Sequence, residues 1–541
     1  MLLRTMEDEV MEQTLYYGGP VITMEGSQIA EAVLTENGII RFVGKIEDIA
    51  DTDIAGARLV DLKGKALLPA FIDSHSHITA LATTMGMACL SNANSFQEIV
   101  DILKKSCNQL KEGQWLIGFG YDHNNLQEKQ HPDRTVLDQI STEIPILISH
   151  VSGHMGVANT MALKEMGITQ QSDDPVGGKI GRNEDGSFNG YLEENAFFMG
   201  SSKIPSPTME QQLNQLKQAE EVYLKNGITT VQDGLTKQPE WSLLQTASAQ
   251  KQLTVDVVAY PDYMQAKELV QKNKLYVKND LNHLKIGGYK IILDGSPQGK
   301  TAWMSQPYEG ESSYCGYPAH TDQEVLECLS TALEEKLQVL VHCNGDAAAQ
   351  QLIDQYRLAK EQTGSTQNIR PVMIHAQTVR KDQLKQMAEL DMIASFFIAH
   401  TYYWGDIHCK NLGQRAMSIS PVQSAIENHV VYTFHQDTPV LLPNMMETVW
   451  CAVNRISRQG TVIGQQEKIS VLDALKGITI NAAYQYGEER KKGSIKMGKR
   501  ADFVILDRNP LKTPKLELNQ IQILQTIKDG IPVYQSFQNK K

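Results

Sequence analysis

Between residues 70 and 437, short apolar runs alternate with longer helix-like stretches, and this alternation constrains the fold more than any other feature of the chain. Strands separated by helices form parallel βα units, because a parallel crossover needs roughly the length of a helix. Eight strand candidates stand at 70–77, 228–234, 254–260, 287–294, 338–344, 370–376, 392–400 and 430–437. Helical stretches such as 207–226, 322–336 and 347–363 lie between most of them. Eight strands suffice to close a (β/α)₈ barrel. The expected fold class is α/β: a TIM barrel over residues 67–491, with an insertion after the first barrel strand at about 79–227. The insertion carries a Gly- and Asp-rich stretch, DDPVGGKIGRNEDGS, and apolar runs of its own, WLIGFGYD and IPILISHVSGH. Residues 15–66 and 495–535 read instead as short alternating strands with turns. Chain ends often lie close together, so segments 1–66 and 492–541 are expected to form one small β-sandwich domain.

The strand ends carry chemistry. The first apolar run, in LLPAFIDSHSHI, leads into His75 and His77. Side chains two apart on an extended strand point the same way, so both imidazoles share one face. Taken alone, the pair is either a metal-ligand pair or two hydrogen-bonded loop histidines. Lys290 lies within the fourth candidate, His342 closes the fifth, His375 the sixth and Asp437 the eighth. In a barrel these ends gather at one pole, where catalytic groups sit. A lone histidine there is commonly structural, and a lysine in a strand commonly faces solvent. Four histidines, a lysine and an aspartate at one pole argue for a site.

Bulk composition narrows the partners. The 541 residues are 41% hydrophobic and 21% charged, a globular balance. The net charge is −12 with no basic tract, so neither nucleic acid nor an anionic membrane is expected as partner. The opening residues MLLRTMEDEVMEQ lack the apolar core of a signal peptide, and no apolar run is long enough to span a bilayer. Seven scattered cysteines without a CxxC suggest reduced thiols and a cytoplasmic address. Oligomeric state is not readable, and a homo-oligomer is compatible with all of this.

The pieces PAFIDSHSH, GYKIILDGSPQGKTA, VHCNGDAA, IHAQ, HQDTPV and GSIKMGKRADFVILDRNP together resemble the metal-dependent amidohydrolase superfamily, and within it the amidohydrolase 3 (YtcJ-like) family. The resemblance runs from about Leu15 to Val533. It implies a (β/α)₈ barrel with a small β-sandwich from both termini. It further implies that His75 and His77 bind one divalent metal, that His342 and His375 bind a second, and that Asp437 binds metal at the active site. Zinc is the expected ion. Lys290 matches a position that in such proteins can be carboxylated and bridge two metals. Ala70 stands where Gly is usual, and Gln436 where Ser is common; neither change removes a ligand.

The chemistry expected of this set is hydrolysis of a C–N bond in a small amide-like substrate by metal-activated water, with Asp437 moving the proton. No GxSxG elbow or Ser-His-Asp order suggests a covalent route. Deamination is an alternative, but superfamily deaminases place a Glu three residues after the fifth-strand His, and here position 345 is Gly. A non-catalytic ligand-binding barrel is a third reading, disfavoured by the cost of burying such polar groups unused. Asp122 and His154, in the insertion, are candidates either to line the substrate pocket or to make structural hydrogen bonds. His400, at the end of the seventh candidate strand, is read as a substrate contact, a metal contact or neither. Trp303 and Tyr308 would form an apolar wall or pack on the insertion, and Cys343 points away from His342, into packing.

Overall fold

A computed structural model describes residues 13–536 except 51, 53, 108, 109, 111, 112 and 151. The opening segment MLLRTMEDEVMEQ lies almost wholly outside the described residues. The chain divides into two compact units, residues 80–219 and the remainder.

In the larger unit, four parallel strands follow one another as Phe71–Ile72, Ile228–Thr236, Asp256–Pro261 and Leu284–Ile286. A second parallel set runs Gly288–Ile292, Gln338–Cys343, Val372–His375, Ile393–Phe396 and Val431–Phe434. The fourth expected strand, 287–294, is seen as Gly288–Ile292 and pairs forward with the fifth, while Leu284–Ile286, just before it and outside the expected bounds, pairs back with the third, so the chain changes sides at Gly287. A single bridge, Asp262 with Lys290, spans the break. The strand class and order are those of a TIM-barrel-like α/β fold. Full closure is not seen: among the described residues no ladder joins the eighth strand to the first. Those two ends meet instead through Ser74 Oγ donating to Phe434 O at 2.9 Å and His77 N donating to Thr438 O at 2.8 Å.

The strands are nearly continuous apolar runs because both of their faces are covered. Val258, Leu340, Val372, Ile374 and Ile393 pack inside with Tyr260. The intervening helices carry clear start and stop signals. Thr321 and Glu324 form a reciprocal capping box that starts Asp322–Glu334, and Gly364, at φ 62°, ends Asp346–Thr363.

Two further sheets hold the chain ends. One orders Ile39–Gly44, Ala32–Glu36, Gln13–Tyr17 and Arg58–Asp61. The other places Phe503–Leu506 antiparallel to Ala66–Pro69, with Ile523–Lys528 and Ile531–Gln535 beyond it and Val21–Ile22 on the far side. Ala66–Pro69 therefore belongs to this terminal sheet, and only Phe71–Ile72 of the first candidate strand pairs in the barrel. Tyr16, Val33 and Ile40 share one buried cluster with Leu67, Phe503 and Ile527, so N- and C-terminal strands bury their apolar faces together.

The smaller unit has a six-stranded sheet, ordered Gly178–Arg182, Phe188–Glu194, Met155–Ala158, Ile146–His150, Leu116–Tyr121 and Ala88–Cys89. Helix Phe96–Cys107 lays Ile99 and Leu103 on Leu116, Ile146 and Ile148. Among the described residues no helix is long and apolar enough to cross a membrane.

Candidate metal centre

The first strand ends at Ile72, and the chain then carries His75 and His77 over the barrel pole, their ring centroids 5.1 Å apart. His75 is fully buried. Its Nδ1 lies 2.8 Å from Gln232 Oε1, whose amide nitrogen is committed to Ser74 O at 2.7 Å. The amide oxygen therefore accepts, His75 Nδ1 carries the ring proton, and Nε2 is left with a lone pair facing the site. A Cβ on Gly234 would stand 2.6 Å from His75 Cε1, so only glycine lets the second strand pass the ring.

Asp437 follows the eighth strand at φ 54°, and His375 ends the sixth at φ 72°. Both are left-handed non-glycine residues, a conformation costing about 1–3 kcal/mol each that gathers at functional sites. The turns bring Asp437 Oδ1 to 3.4 Å from His75 Nε2 and 3.2 Å from His77 Nε2, and Oδ2 to 3.9 Å from His375 Nε2. Ligand atoms of His75, His375 and Asp437 all fall within 4.8 Å of one another. Yet among the described residues no donor meets the buried Asp437 Oδ1 in hydrogen-bond geometry, the nearest ring nitrogen being His77 Nε2 at 3.2 Å. A buried carboxylate oxygen among ring nitrogens that do not donate to it fits a shared cation better than it fits an internal network. The donors are imidazole and carboxylate, a set that suits Zn, Mn, Fe or Co.

Lys290 enters from the fourth strand, fully buried, with Nζ 3.1 Å from His75 Nε2. Burial lowers its pKa to about 8. His342 stands beside His375, centroids 4.5 Å apart. Its Nδ1 lies 3.2 Å from Asp294 Oδ1, and Asp294 also accepts from the backbone of Asn344, Gly345 and Trp303. With three backbone N–H groups already on Asp294, its carboxylate accepts the His342 proton on Nδ1, and His342 Nε2 carries the lone pair, 3.3 Å from Asn344 Nδ2. Burial first, then neighbouring cationic or imidazole groups, holds His75 and His375 well below the usual imidazole range. Asp437 is held well below the carboxylate range: burial pushes it up, but His77, His375 and His75 outweigh that.

Sequence reasoning missed His435. It is buried, its Nδ1 2.8 Å from Ser395 Oγ and its Nε2 3.2 Å from His375 Nδ1, and burial drives its pKa down to about 3. It is the group that orients His375.

The outer candidates fare differently. The seventh strand stops at Phe396, and His400 does not end it; it opens a short helix, His400–Tyr403. There it is buried, 3.1 Å from His408 Nε2 and packed on Phe397 and Trp404. Trp303 gives its backbone N–H to Asp294, and Tyr308 is buried with its hydroxyl donating to Ala302 O. Cys343 is buried. In the 80–219 unit, His154 is exposed and faces Glu194 at 3.1 Å, whereas Asp122 stands with His123 and His150.

A profile described as "Amidohydrolase family" matches residues 58–534. The chain belongs to the amidohydrolase family. Membership makes it a metal-dependent hydrolase by class, in keeping with the donor set just described. This amidohydrolase is 26% identical over 521 residues to an N-substituted formamide deformylase of Arthrobacter pascens, covering 94% of this chain and 95% of that one. It is 24% identical over 545 residues to the putative amidohydrolase YtcJ of Bacillus subtilis, covering 97% and 99%. A crystal structure of an uncharacterized metal-dependent hydrolase from Pyrococcus furiosus shares the fold at TM-score 0.76 and 24% identity, over 92% of this amidohydrolase and all of that chain.

Proposed function

We propose that this amidohydrolase cleaves the C–N bond of a small secondary amide, using two zinc ions held by His75, His77, His342, His375, Asp437 and a carboxylated Lys290. The observation that carries the reading is Asp437 Oδ1, buried beside the nitrogens of His75 and His77 and met by no donor in hydrogen-bond geometry among the described residues. A divalent cation bound there supplies Lewis acidity, which acidifies water and polarises the amide carbonyl. Asp437 accepts the proton of the attacking water and returns it to the leaving nitrogen. Gln232 and Asp294 keep the lone pairs of His75 and His342 aimed inward, and His435 does the same for His375. A composite β-sandwich from the two ends of the chain belongs to the same reading, supported by the buried cluster that Tyr16 and Val33 share with Phe503 and Ile527.

Gly345 argues against the deaminase alternative. A Cβ there would lie 1.8 Å from Trp303 O, so the deaminase glutamate has no room. The name of the Arthrobacter relative supports a secondary amide as substrate class. A panel of N-substituted small amides separates the readings: secondary amides should yield a carboxylate and a primary amine, whereas ammonia release across the panel would favour deamination.

Removing the paired imidazoles tests the metal assignment. His75→Ala with His77→Ala should lose most bound metal while circular dichroism stays that of a folded α/β protein, because the remaining strands keep the core. Full metal content in the double variant would sink the assignment.

Lys290 carries a sharper test. A buried ammonium 3.1 Å from His75 repels cations and loses hydration. At a pKa of about 8 a neutral fraction exists at pH 7. The free amine adds to carbon dioxide, forming an N–C bond and releasing one proton, and the carbamate anion reverses the sign of the interaction. Protein equilibrated with ¹³C-bicarbonate and metal should give a carbamate carbon resonance that Lys290→Met lacks. A bare amine in a fully metallated, active crystal would defeat the carbamate and leave the hydrolase reading intact.

A further inference from the structure

The 80–219 unit contains its own convergence of imidazoles. Strand Leu116–Tyr121 delivers Asp122 and His123 at its end, and the neighbouring strand Ile146–His150 ends on His150. His123 Nδ1 lies 3.2 Å from His150 Nε2, Asp122 Oδ1 lies 3.6 Å from His150 Nε2, and the same oxygen lies 3.8 Å from His123 Nδ1. A triangle with these sides has its centre about 2.1 Å from each corner, the length of a Zn–N or Zn–O bond of about 2.0–2.2 Å.

We propose that Asp122, His123 and His150 form a second binding site, for a divalent transition-metal ion of the zinc class, within the 80–219 unit. Two imidazoles and one carboxylate on one side leave further positions for water, and the partial exposure of Asp122 and His123 gives the ion a way in. The surroundings hold the three donors in place. His131 stacks on His123 with centroids 4.1 Å apart and is itself fixed by Tyr121 Oη at 3.0 Å from its Nδ1. Asn124 donates to Asp122 Oδ1 from its backbone at 2.9 Å and from its side chain at 3.0 Å. Both bonds fall on Oδ1, the oxygen of the triangle, so an ion there takes the place of the Asn124 side-chain donor and leaves the backbone bond.

His150 Nδ1 lies 2.9 Å from Ser152 Oγ and 3.1 Å from Ser152 N. Without an ion, the Ser152 N–H donates to Nδ1, so the ring proton sits on Nε2 and points at its neighbours. With an ion, that proton moves to Nδ1, where Ser152 Oγ accepts it and the Ser152 N–H gives up its bond, and the Nε2 lone pair faces the metal. The ring stays neutral throughout.

The test is a count of bound metal on the full chain, stripped by chelator and dialysed against Zn²⁺, then repeated with Co²⁺ to read the ligand field in visible absorption. Wild type should hold one equivalent more than His123→Ala, and that equivalent should survive in His75→Ala with His77→Ala. His150→Gln should lose it as well; His123, being partly exposed, provides the variant least able to disturb folding. Equal Zn²⁺ content and an unchanged Co²⁺ spectrum in wild type and His123→Ala would overturn the site.

Discussion

Asp437→Asn should lower turnover by about 10²–10⁴-fold, the usual worth of a positioned general acid or base. The substitution suits this position. Asn matches the carboxylate in shape and tolerates the left-handed backbone, here at φ 54°, better than other residues. What it lacks is the ability to take a proton at neutral pH. Substrate binding should change little by comparison, so the loss falls on kcat more than on KM. Metal content measured on the same sample separates two roles. A variant that keeps its metal and loses turnover identifies the proton carrier, whereas near-normal turnover would mean that another group moves the proton. A variant that loses its metal places the larger part of Asp437's role in ligation.

The strand ends were the legible part of the centre, for a physical reason. A buried strand must be apolar, so a histidine or aspartate at its end stands out against its own run. His75, His77, His342, His375 and Asp437 were all found that way, and the structure brings their rings and carboxylate together. His435 was missed although the signal was present. It lies two residues before Asp437 within the expected strand 430–437, where alternation assigns the two to one face. Asp294, on the Lys290 side of its strand by the same rule, was likewise available but not assigned a role. The boundaries of the seventh strand were not legible. FFIAH is apolar enough to extend a strand, and short apolar runs do not distinguish strand from buried helix, so His400 was assigned to the wrong element. Leu284–Ile286 is not legible either, because three buried residues ahead of Gly287 are too short a run to read as a strand. Gln232, which sets the tautomer of His75, is an uncharged residue inside a buried strand, and only the fold brings it to the ring.

Asp256→Ala should destabilise the larger unit by about 3–5 kcal/mol, the cost of stranding buried charge. Asp256 sits at the start of the third barrel strand, almost wholly buried. Its carboxylate meets Lys492 and Lys528, the latter at 3.0 Å, with His283 at 2.7 Å and Arg500 at 3.3 Å. Lys492 and Lys528 are themselves buried, Lys492 also bonding Thr230 Oγ1 at 2.9 Å and Lys528 facing Asp502 at 3.4 Å. Asp256 is the one carboxylate that both ammonium groups share, Glu488 facing Lys492 at 3.1 Å and Asp502 facing Lys528 besides, and it ties the barrel to the C-terminal segment. Truncation leaves those buried cations short of the carboxylate they share, whereas Asp256→Asn keeps two polar atoms and should cost less. Burial raises the pKa of Asp256, but Lys492, Lys528, His283 and Arg500 outweigh it and hold the group well below the carboxylate range. A depressed folded value means that its stabilisation is fully present above the unfolded pKa of about 3.9 and is lost as pH falls through the folded value. The difference between wild type and Asp256→Ala should therefore be constant from about pH 5 upward on this group's account and shrink in acid. Denaturant midpoints of both proteins, with Lys528→Met as the second arm of a double-mutant cycle, give the coupling directly. A loss under about 1 kcal/mol for Asp256→Ala, near the mean for any substitution, would show that water or the neighbouring carboxylates already compensate the cluster.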